Sequence, residues 1–350
     1  MSETVVPDAS SGAEADPTSP RRFGDAILEV ENLVKHFPAG SKGLGFRSTK
    51  SWVRAVDGVS FGIAPGETLG LVGESGCGKS TIAKLLLRLE DPTSGSIRFD
   101  GEEVSTLKGR RLLGYRRAVQ AVFQDPYASL SPRMRVRDIV GEGLQIHTSM
   151  SKSEIDARVF EVLDLVGMRK EVAQLYPHEF SGGQRQRIAI AKALAVDSRM
   201  LVLDEAVSAL DVSIRAQVIT LLKDLQQKFG IAYLYIGHDL ATVSYLADRV
   251  MVMYLGRIVE MDDSVDLVGG PLHPYTEALF TAALPSHPDD VRDTSEQATA
   301  EVPSAMAPPP GCHFHPRCPH AMDRCREEYP QTVTLSSGRI VACFLHQADA

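Results

Sequence analysis

The stretch Leu69-Gly-Leu-Val-Gly-Glu-Ser-Gly-Cys-Gly-Lys-Ser-Thr81 decides the fold of this chain. It contains the pattern Gly73-x-x-x-x-Gly78-Lys79-Ser80, which is typical of a phosphate-binding loop, or P-loop. The apolar run before the pattern predicts a buried strand, and Ile82-Ala-Lys-Leu-Leu-Leu after it predicts a helix. Glycines let backbone N–H groups converge on phosphate oxygens, and a helix N-terminus favours an anion. Because this context is complete, a glycine-rich turn that binds nothing is the weaker interpretation.

Two side chains of the loop suit a nucleoside triphosphate with its magnesium ion. Lys79 can reach the β- and γ-phosphates, and Ser80 can place a hydroxyl group on Mg²⁺.

The overall composition indicates a soluble globular protein, with enough apolar residues for the core of an α/β domain, and excludes several classes. The chain has 350 residues, of which 43% are hydrophobic and 23% charged, enough for one large or two modest domains. Its formal net charge of -8 gives no general basic footprint for nucleic acid. No apolar run reaches the roughly 18 residues of a membrane span, and the N-terminus lacks a signal peptide. We therefore expect a cytosolic protein that associates with membranes only through a partner.

The pattern along the chain predicts an α/β core interrupted by a helical insertion. Residues 1–25, rich in Ser, Pro, Ala and acidic residues, are predicted to be disordered. A loop is predicted at 38–51, helices at about 127–180, and a Pro- and Ala-rich linker at 285–311. Strands are predicted at 26–34, 53–63, 69–72, 96–101, 119–124, 200–204, 231–236 and 249–259, and core helices at 183–195 and 214–229.

Two acidic residues end a second apolar strand, Leu201-Val-Leu-Asp204-Glu205. Asp204 can hold the Mg²⁺ shell through water, and Glu205 is then placed to polarise an attacking water. Alone, the pair could be ordinary solvated acids at a strand end. Downstream of a P-loop it predicts a catalytic role.

A second anion-binding element, Ser181-Gly-Gly-Gln-Arg-Gln-Arg187, opens a predicted helix with a serine, two glycines and an amide. It could also be a simple N-cap with a flexible turn. One nucleotide rarely needs two such sites, so this element is predicted to act on a nucleotide held by another subunit.

Taken together, these motifs resemble those of the nucleotide-binding subunit of an ATP-binding-cassette (ABC) transporter, over about residues 26–265. Gly73–Ser80 resembles the Walker A segment, Phe180-Ser-Gly-Gly-Gln184 the signature, and Asp204-Glu205 the end of the Walker B strand. Ser208-Ala-Leu-Asp211 resembles the D-loop. Gln124 matches the Q-loop, His238 the switch histidine, and Phe37 the aromatic residue that stacks on adenine.

The resemblance implies a role for each matching position. Glu205 would be the general base, His238 would contact the γ-phosphate, and Gln124 would sense that phosphate and touch a membrane subunit. Gln124 would also join Ser80 and Asp204 around Mg²⁺. His238 could instead be structural, Gln124 could cap a loop, and Trp52 is a rival for the stacking role of Phe37. The ATP contacts implied are Phe37, Gly73, Ser75, Gly76, Cys77, Gly78, Lys79, Ser80, Thr81, Gln124 and Asp204, with Ser181, Gly182, Gly183 and Gln184 acting on a partner's ATP.

The C-terminal part carries a narrower resemblance. Gly270-Pro-Leu-His-Pro-Tyr-Thr-Glu-Ala-Leu is similar to the extension of oligopeptide and dipeptide importer ATPases, with nickel importers as near relatives. Four cysteines follow with the spacing C-x5-C-x6-C-x17-C, and the resemblance implies a [4Fe–4S] cluster. Four thiolates also suit zinc, nearby histidines allow a mixed zinc site, and free structural thiols are a further alternative. These cysteines are Cys312, Cys318, Cys325 and Cys343.

The sequence thus predicts an α/β fold: a P-loop NTPase core with a mixed sheet (an ABC ATPase), an inserted helical subdomain at about 127–180, and a small Cys-containing C-terminal extension at 266–350. The resemblance implies a subunit that hydrolyses ATP with Mg²⁺ to power oligopeptide or dipeptide import. Its expected partners are a second ATPase subunit in a head-to-tail dimer, two transmembrane permease subunits and, indirectly, an extracytoplasmic peptide-binding protein, at the cytoplasmic face of the inner membrane. A nickel or other solute importer, and a soluble ABC ATPase outside transport, are the alternatives.

Overall fold

The computed structural model describes residues 26–42, 49–125, 129–283 and 303–349. The tail predicted to be disordered, 1–25, lies outside the described residues, as do 285–302 of the predicted linker.

The elements follow the predicted α/β order. The strands are β1 (Leu28–Lys42), β2 (Thr49–Ile63), β3 (Thr68–Val72), β4 (Ser94–Phe99), β5 (Glu102–Glu103), β6 (Val119–Phe123), β7 (Met200–Asp204), β8 (Ala232–Ile236), β9 (Arg249–Tyr254), β10 (Arg257–Asp263), β11 (Val333–Thr334) and β12 (Ile340–Val341). The helices are α1 (Lys79–Leu86), α2 (Gly109–Ala118), α3 (Val136–His147), α4 (Lys152–Leu165), α5 (Gly182–Leu194), α6 (Val212–Phe229), α7 (Leu240–Leu246), α8 (Ser264–Gly269), α9 (Pro274–Ala283) and α10 (Asp323–Glu327).

An eight-stranded mixed sheet forms the centre of the fold, in the order β11-β12-β10-β9-β3-β8-β7-β6. The strands from β9 to β6 are parallel, whereas β10, β11 and β12 join antiparallel. β3 and β8 are buried along their whole length, as expected for parallel strands covered on both faces. The predicted mixed sheet is confirmed.

A smaller antiparallel sheet, β2-β1-β4-β5, carries a long hairpin that corrects one prediction. The predicted loop at 38–51 is wrong in part, because β1 runs on to Lys42 and β2 begins at Thr49. Pairing continues through Ser41↔Lys50 and Lys42↔Thr49. The register of the two strands shifts between Pro38 and Ser41, directly after the proline. Backbone pairing therefore overrides the turn-like composition of this stretch.

The predicted helical insertion is built from α3 and α4, followed by short 3₁₀ turns at Lys170–Gln174 and Pro177–Glu179. Its apolar side chains pack with those of α5 in one core cluster. Tyr127 and Ala128, at the start of this predicted insertion, lie outside the described residues.

The C-terminal region adds strands to the central sheet. β12 pairs with β10, and the Ala342 N–H donates to the Val259 carbonyl at 2.9 Å. The end of the predicted linker, 303–311, is also bound to the core, because the Arg54 N–H donates to the Ala305 carbonyl at 3.3 Å. Within the described part of the chain, no helix is both long enough and apolar enough to cross a membrane.

Candidate nucleotide site

The predicted site residues converge on one edge of the central sheet. In register, Leu71 of β3 pairs with Ile236 of β8, Ile236 pairs with Asp204 of β7, and Asp204 pairs with Phe123 of β6. Since these strands are parallel, the segments that follow them leave the sheet at the same edge. The P-loop, His238, Glu205 and Gln124 therefore come from four neighbouring strands to one place.

The P-loop backbone needs glycine at two positions. Gly73 has a φ of 152° and Gly78 a φ of 117°, a region that other residues rarely adopt. A Cβ atom would lie 2.2 Å from the Met253 carbonyl oxygen at Gly73 and 2.0 Å from that of Ala55 at Gly78. The loop is thus pressed against β9 and β2 while Ser75, Gly76 and Ser80 remain exposed to a ligand.

Lys79 lies within the loop, and its side chain is buried. Its Nζ atom donates to the carbonyl oxygens of Gly73 at 2.7 Å and Glu74 at 2.9 Å. The sulfur of Cys77 is 3.8 Å from the same nitrogen, and burial raises the pKa of this thiol. The lysine is therefore held next to the exposed loop surface, and Thr81, which is half-buried, follows in the first turn of α1.

Two of the three side chains expected around magnesium are in contact, and the third follows the neighbouring strand. The Ser80 hydroxyl donates a hydrogen bond to the Asp204 carboxylate, whose pKa is raised by burial. Gln124 is exposed and comes directly after Phe123, the residue paired with Asp204. Hydroxyl, carboxylate and amide oxygens are the ligands that Mg²⁺ accepts, so the residues present fit this ion.

Glu205 and His238 face each other beside this group. The His238 Nδ1 atom is 3.4 Å from the Glu205 carboxylate, and the imidazole is 61% exposed. Glu205 has a φ of 49°, and its N–H donates to the Ile236 carbonyl at 2.9 Å. Glu205 therefore holds a left-handed backbone conformation, which is strained for a non-glycine residue, directly after β7 and within reach of His238.

The residue after His238 fixes the loop that carries it. Asp239 accepts hydrogen bonds from Arg215 at 2.8 Å and from the Thr242 hydroxyl at 2.7 Å. Burial alone would raise the pKa of Asp239, but these hydrogen bonds outweigh it and keep the pKa below its usual value. The ionised carboxylate therefore anchors the start of α7.

The second glycine-rich element forms the N-terminus of α5, as predicted. Ser181 and Gln184 make a reciprocal capping box, with the Ser181 N–H donating to Gln184 Oε1 at 3.0 Å. Gly183 is buried against α6, where a Cβ atom would lie 2.3 Å from Ile214 Cγ2, whereas Ser181, Gly182 and Gln184 are exposed. The cap leaves the hydroxyl proton and the amide NH₂ group free to donate to a ligand.

Phe37 and Trp52 lie on opposite faces of the β1–β2 hairpin. Phe37 pairs with Val53, whereas Trp52 pairs with Pro38. Paired residues share a face and consecutive residues alternate, so the two rings point in opposite directions. Trp52 lines a groove with the C-terminal residues 306–311, and Phe37 is half-buried with Lys35 Nζ at 4.8 Å from its ring centre.

The four C-terminal cysteines line one small cavity of about 10 Å³. Burial raises the pKa of Cys312 and of Cys343 to about 11, and the Cys312 N–H donates to the Cys325 carbonyl at 2.8 Å. Across residues 26–42, 49–125, 129–283 and 303–349, however, no three His, Cys, Asp or Glu side chains are arranged to hold a metal ion. Four thiols, those of Cys312, Cys318, Cys325 and Cys343, suit a metal centre with four thiolate ligands. Their side chains as placed, however, are not arranged to bind a metal ion.

Sequence reasoning missed two residues that contact the P-loop. Arg317 binds the Glu74 carboxylate, and the Tyr275 hydroxyl accepts a hydrogen bond from the Glu74 N–H. They lie 243 and 201 residues further along the chain, so no local pattern could have indicated these contacts.

Two family models match separate parts of the chain. The model described as ABC transporter matches residues 56–208, and that described as oligopeptide/dipeptide transporter, C-terminal region, matches residues 259–325.

Curated relatives match nearly the whole chain. A probable peptide ABC transporter ATP-binding protein of Sinorhizobium fredii is 50% identical over 329 residues, covering 94% of this chain and 92% of the relative. A di/tripeptide transport ATP-binding protein of Pseudomonas aeruginosa is 48% identical, covering 93% of this chain and 98% of the relative.

Among solved structures, an ATP-binding cassette in a dimeric post-hydrolysis state with ADP and Pi matches with a TM-score of 0.60 and 26% identity. The match covers 68% of this chain and 99% of that one. A Clostridium perfringens cassette, part of an ABC transporter complex, matches with a TM-score of 0.60 and 28% identity, covering 70% of this chain and 91% of that one. With the nucleotide-site geometry, these similarities place the chain in the ABC transporter ATPase family, in its oligopeptide/dipeptide transporter branch.

Proposed function

We propose that this chain binds ATP with Mg²⁺ and hydrolyses it to power the import of oligopeptides or dipeptides. The observation that carries the proposal is the meeting of the Ser80–Asp204 pair and the Glu205–His238 pair at one sheet edge, beside the P-loop. There, Lys79 and the loop N–H groups bind the phosphates, and Ser80, Asp204 and Gln124 hold Mg²⁺. Glu205 takes the proton of the attacking water, while His238 contacts the γ-phosphate.

A complete site requires two subunits, arranged head to tail. The exposed donors of Ser181 and Gln184 at the α5 N-terminus suit the γ-phosphate of ATP on a partner's P-loop. A similar cassette is dimeric in its post-hydrolysis state, which supports the pairing of two subunits. ATP then joins the two subunits and hydrolysis releases them. Trp52 lines a groove with the C-terminal residues 306–311 on the face opposite to Phe37, so we assign adenine stacking to Phe37.

The relatives support the proposed cargo and membrane partners. Their names refer to peptides, and the model for the C-terminal region is that of oligopeptide/dipeptide transporters. We place the chain at the cytoplasmic face of the inner membrane, where Gln124 and the helical insertion contact two permease subunits. A separate peptide-binding protein delivers the cargo. A nickel importer is the alternative, and uptake assays with peptides and with nickel distinguish the two.

Replacement of Glu205 by glutamine tests the function. E205Q keeps the size and shape of the side chain but cannot take up the proton of the attacking water. ATP hydrolysis should fall by about 10²- to 10⁴-fold, whereas ATP binding is retained. Glu161→Gln, on the exposed surface of α4, is the matched control and should hydrolyse ATP normally. Rapid turnover by E205Q would remove Glu205 from the role of general base.

We also propose that Cys312, Cys318, Cys325 and Cys343 hold a [4Fe–4S] cluster with a structural role. The support is chemical: four thiols line one cavity, and cysteine thiolates are the usual ligands of such clusters. When bound, the cluster would crosslink three segments of the C-terminal region. Of the nearby histidines, His346 Nε2 is 3.0 Å from the Leu272 carbonyl and His315 Nδ1 is 2.9 Å from that of Cys312. Metal-ligating histidines make the same kind of second contact, so a mixed Cys/His zinc site is the alternative to the cluster.

A further inference from the structure

One residue of the P-loop is held by the C-terminal region through two independent contacts. The guanidinium group of Arg317 binds the Glu74 carboxylate with both of its terminal nitrogens, each at 2.9 Å. The Glu74 N–H donates to the Tyr275 hydroxyl, also at 2.9 Å. Both the side chain and the backbone of Glu74 are therefore fixed from outside the loop.

The packing around Arg317 makes this geometry rigid. Its side chain is 8% exposed, and its guanidinium carbon lies 5.6 Å from the centre of the Phe314 ring. Phe314 packs edge-on against Tyr254 and Tyr275, with centroid distances of 5.4 Å in both cases. A planar guanidinium group in such a pocket has little conformational freedom. Its orientation towards the carboxylate, with two hydrogen bonds, is therefore fixed by the surrounding side chains.

The Arg317–Glu74 contact neutralises a negative charge inside the P-loop. Glu74 lies directly after Gly73, within the loop that receives the phosphates, and an unpaired carboxylate there repels a polyphosphate. Arg317 remains protonated at any physiological pH, so it cancels this charge permanently. Tyr275 meanwhile occupies the Glu74 N–H, which leaves the N–H groups later in the loop for the phosphates.

We propose that Arg317 is a positioning residue that neutralises Glu74 and thereby sets the affinity of the P-loop for nucleotide polyphosphates. The C-terminal region thus acts on the ATP site of its own chain. This inference rests on the proposed assignment of the P-loop as the phosphate site.

A double-mutant cycle on the full chain tests the proposal by titration with ATP, ADP and AMP. R317Q should weaken ATP binding about tenfold, equivalent to about 1.4 kcal/mol, with a smaller loss for ADP and the smallest for AMP. E74Q should bind ATP more tightly than the wild type, because Arg317 then keeps an uncompensated charge. The double variant E74Q/R317Q should recover most of the affinity, and added salt should shrink the R317Q defect.

The opposite pattern would overturn the proposal. If the double variant binds ATP as weakly as R317Q, or if AMP weakens as much as ATP, Arg317 serves only to pack the C-terminal region. R317K controls for folding, since it keeps the positive charge but loses the two-point contact, and its ATP affinity should lie between those of the wild type and R317Q. K79A distinguishes a failure of the proposed phosphate site from a failure of the proposed role of Arg317. If K79A binds ATP normally, the phosphate site itself is misassigned. If K79A weakens ATP binding but R317Q does not, only the role of Arg317 is refuted.

Discussion

At the scale of single residues, the nucleotide site depends on backbone shapes that few residue types tolerate. Gly78 combines a φ of 117° with close contact to the Ala55 carbonyl, so it has neither the conformational freedom nor the space for a side chain. Glu205 shows the converse case, a non-glycine residue kept at a φ of 49° by its hydrogen bond to Ile236. The nucleotide site therefore depends on backbone conformation at Gly78 and Glu205 as well as on its reactive side chains.

Gly78→Ala should therefore damage both stability and ATP binding. The new methyl group would lie 2.0 Å from the Ala55 oxygen and 2.7 Å from Met253 Cε, and overpacking of this kind costs about 1–3 kcal/mol. Gly114→Ala, in α2 with no neighbouring atom within 4 Å, is the matched control and should stabilise the protein by up to about 1 kcal/mol. Urea unfolding and ATP titration measure the two effects, and a G78A variant that behaves like wild type contradicts this account of the loop.

At the scale of elements, two helices begin with the same capping box but differ in surroundings. Ser151 caps α4 with Glu154, and Ser181 caps α5 with Gln184, each hydroxyl accepting a backbone N–H at 3.4 Å. α4 belongs to the helical insertion, whereas the α5 N-terminus presents the proposed second phosphate site. The backbone caps are matched, although the Ser151 hydroxyl also donates to the Glu154 carboxylate at 2.7 Å. The two serines can therefore separate capping from ligand binding.

Ser181→Ala and Ser151→Ala should cost similar stability, about 1 kcal/mol each, but only S181A should slow ATP turnover. The reason is that the lost hydroxyl of Ser181 would also contact a partner's γ-phosphate. Thermal unfolding gives the first quantity and steady-state hydrolysis the second. Equal turnover by the two variants would leave Ser181 with no role beyond its cap.

At the scale of the whole molecule, the C-terminal region and the ATPase core form a continuous structure. β12 extends the central sheet, and Arg339 binds the carbonyl oxygens of Gly270 and Asp266 as well as the Asp262 carboxylate. Arg317 and Tyr275 complete the connection at the P-loop. The cysteine cavity is thus attached to the same framework that shapes the nucleotide site.

The wild-type chain purified without air should contain iron and sulfide, with broad absorbance near about 400 nm from the thiolate-bound cluster. Replacing Cys312, Cys318, Cys325 and Cys343 together by serine should remove both elements, because serine supplies no thiolate. Cys77→Ser should retain the metal, since Cys77 lies in the P-loop. Elemental analysis distinguishes the alternatives. Zinc found instead of iron would show that the cysteines form a zinc site, and a metal-free wild-type protein would show that they are free thiols.

The sequence by itself determined the features that depend on short windows of chain. The P-loop, the Asp204–Glu205 strand end and the Ser181 cap were all predictable, because each is encoded in a continuous run of eight residues or fewer. The buried parallel strands were predictable for the same reason. The loop predicted at 38–51 is wrong in part because hairpin pairing between β1 and β2 continues to Lys42 and Thr49 despite a turn-like composition.

Only the tertiary structure decided which residues meet across the chain. It placed Phe37 and Trp52 on opposite faces of one hairpin, gathered the four cysteines around one cavity, and brought Arg317 to Glu74. These relations depend on sheet order and strand register, which bring together segments separated by as many as 243 residues. The sequence therefore predicted the residues of the proposed nucleotide site, whereas the fold determined how the C-terminal region is attached to them.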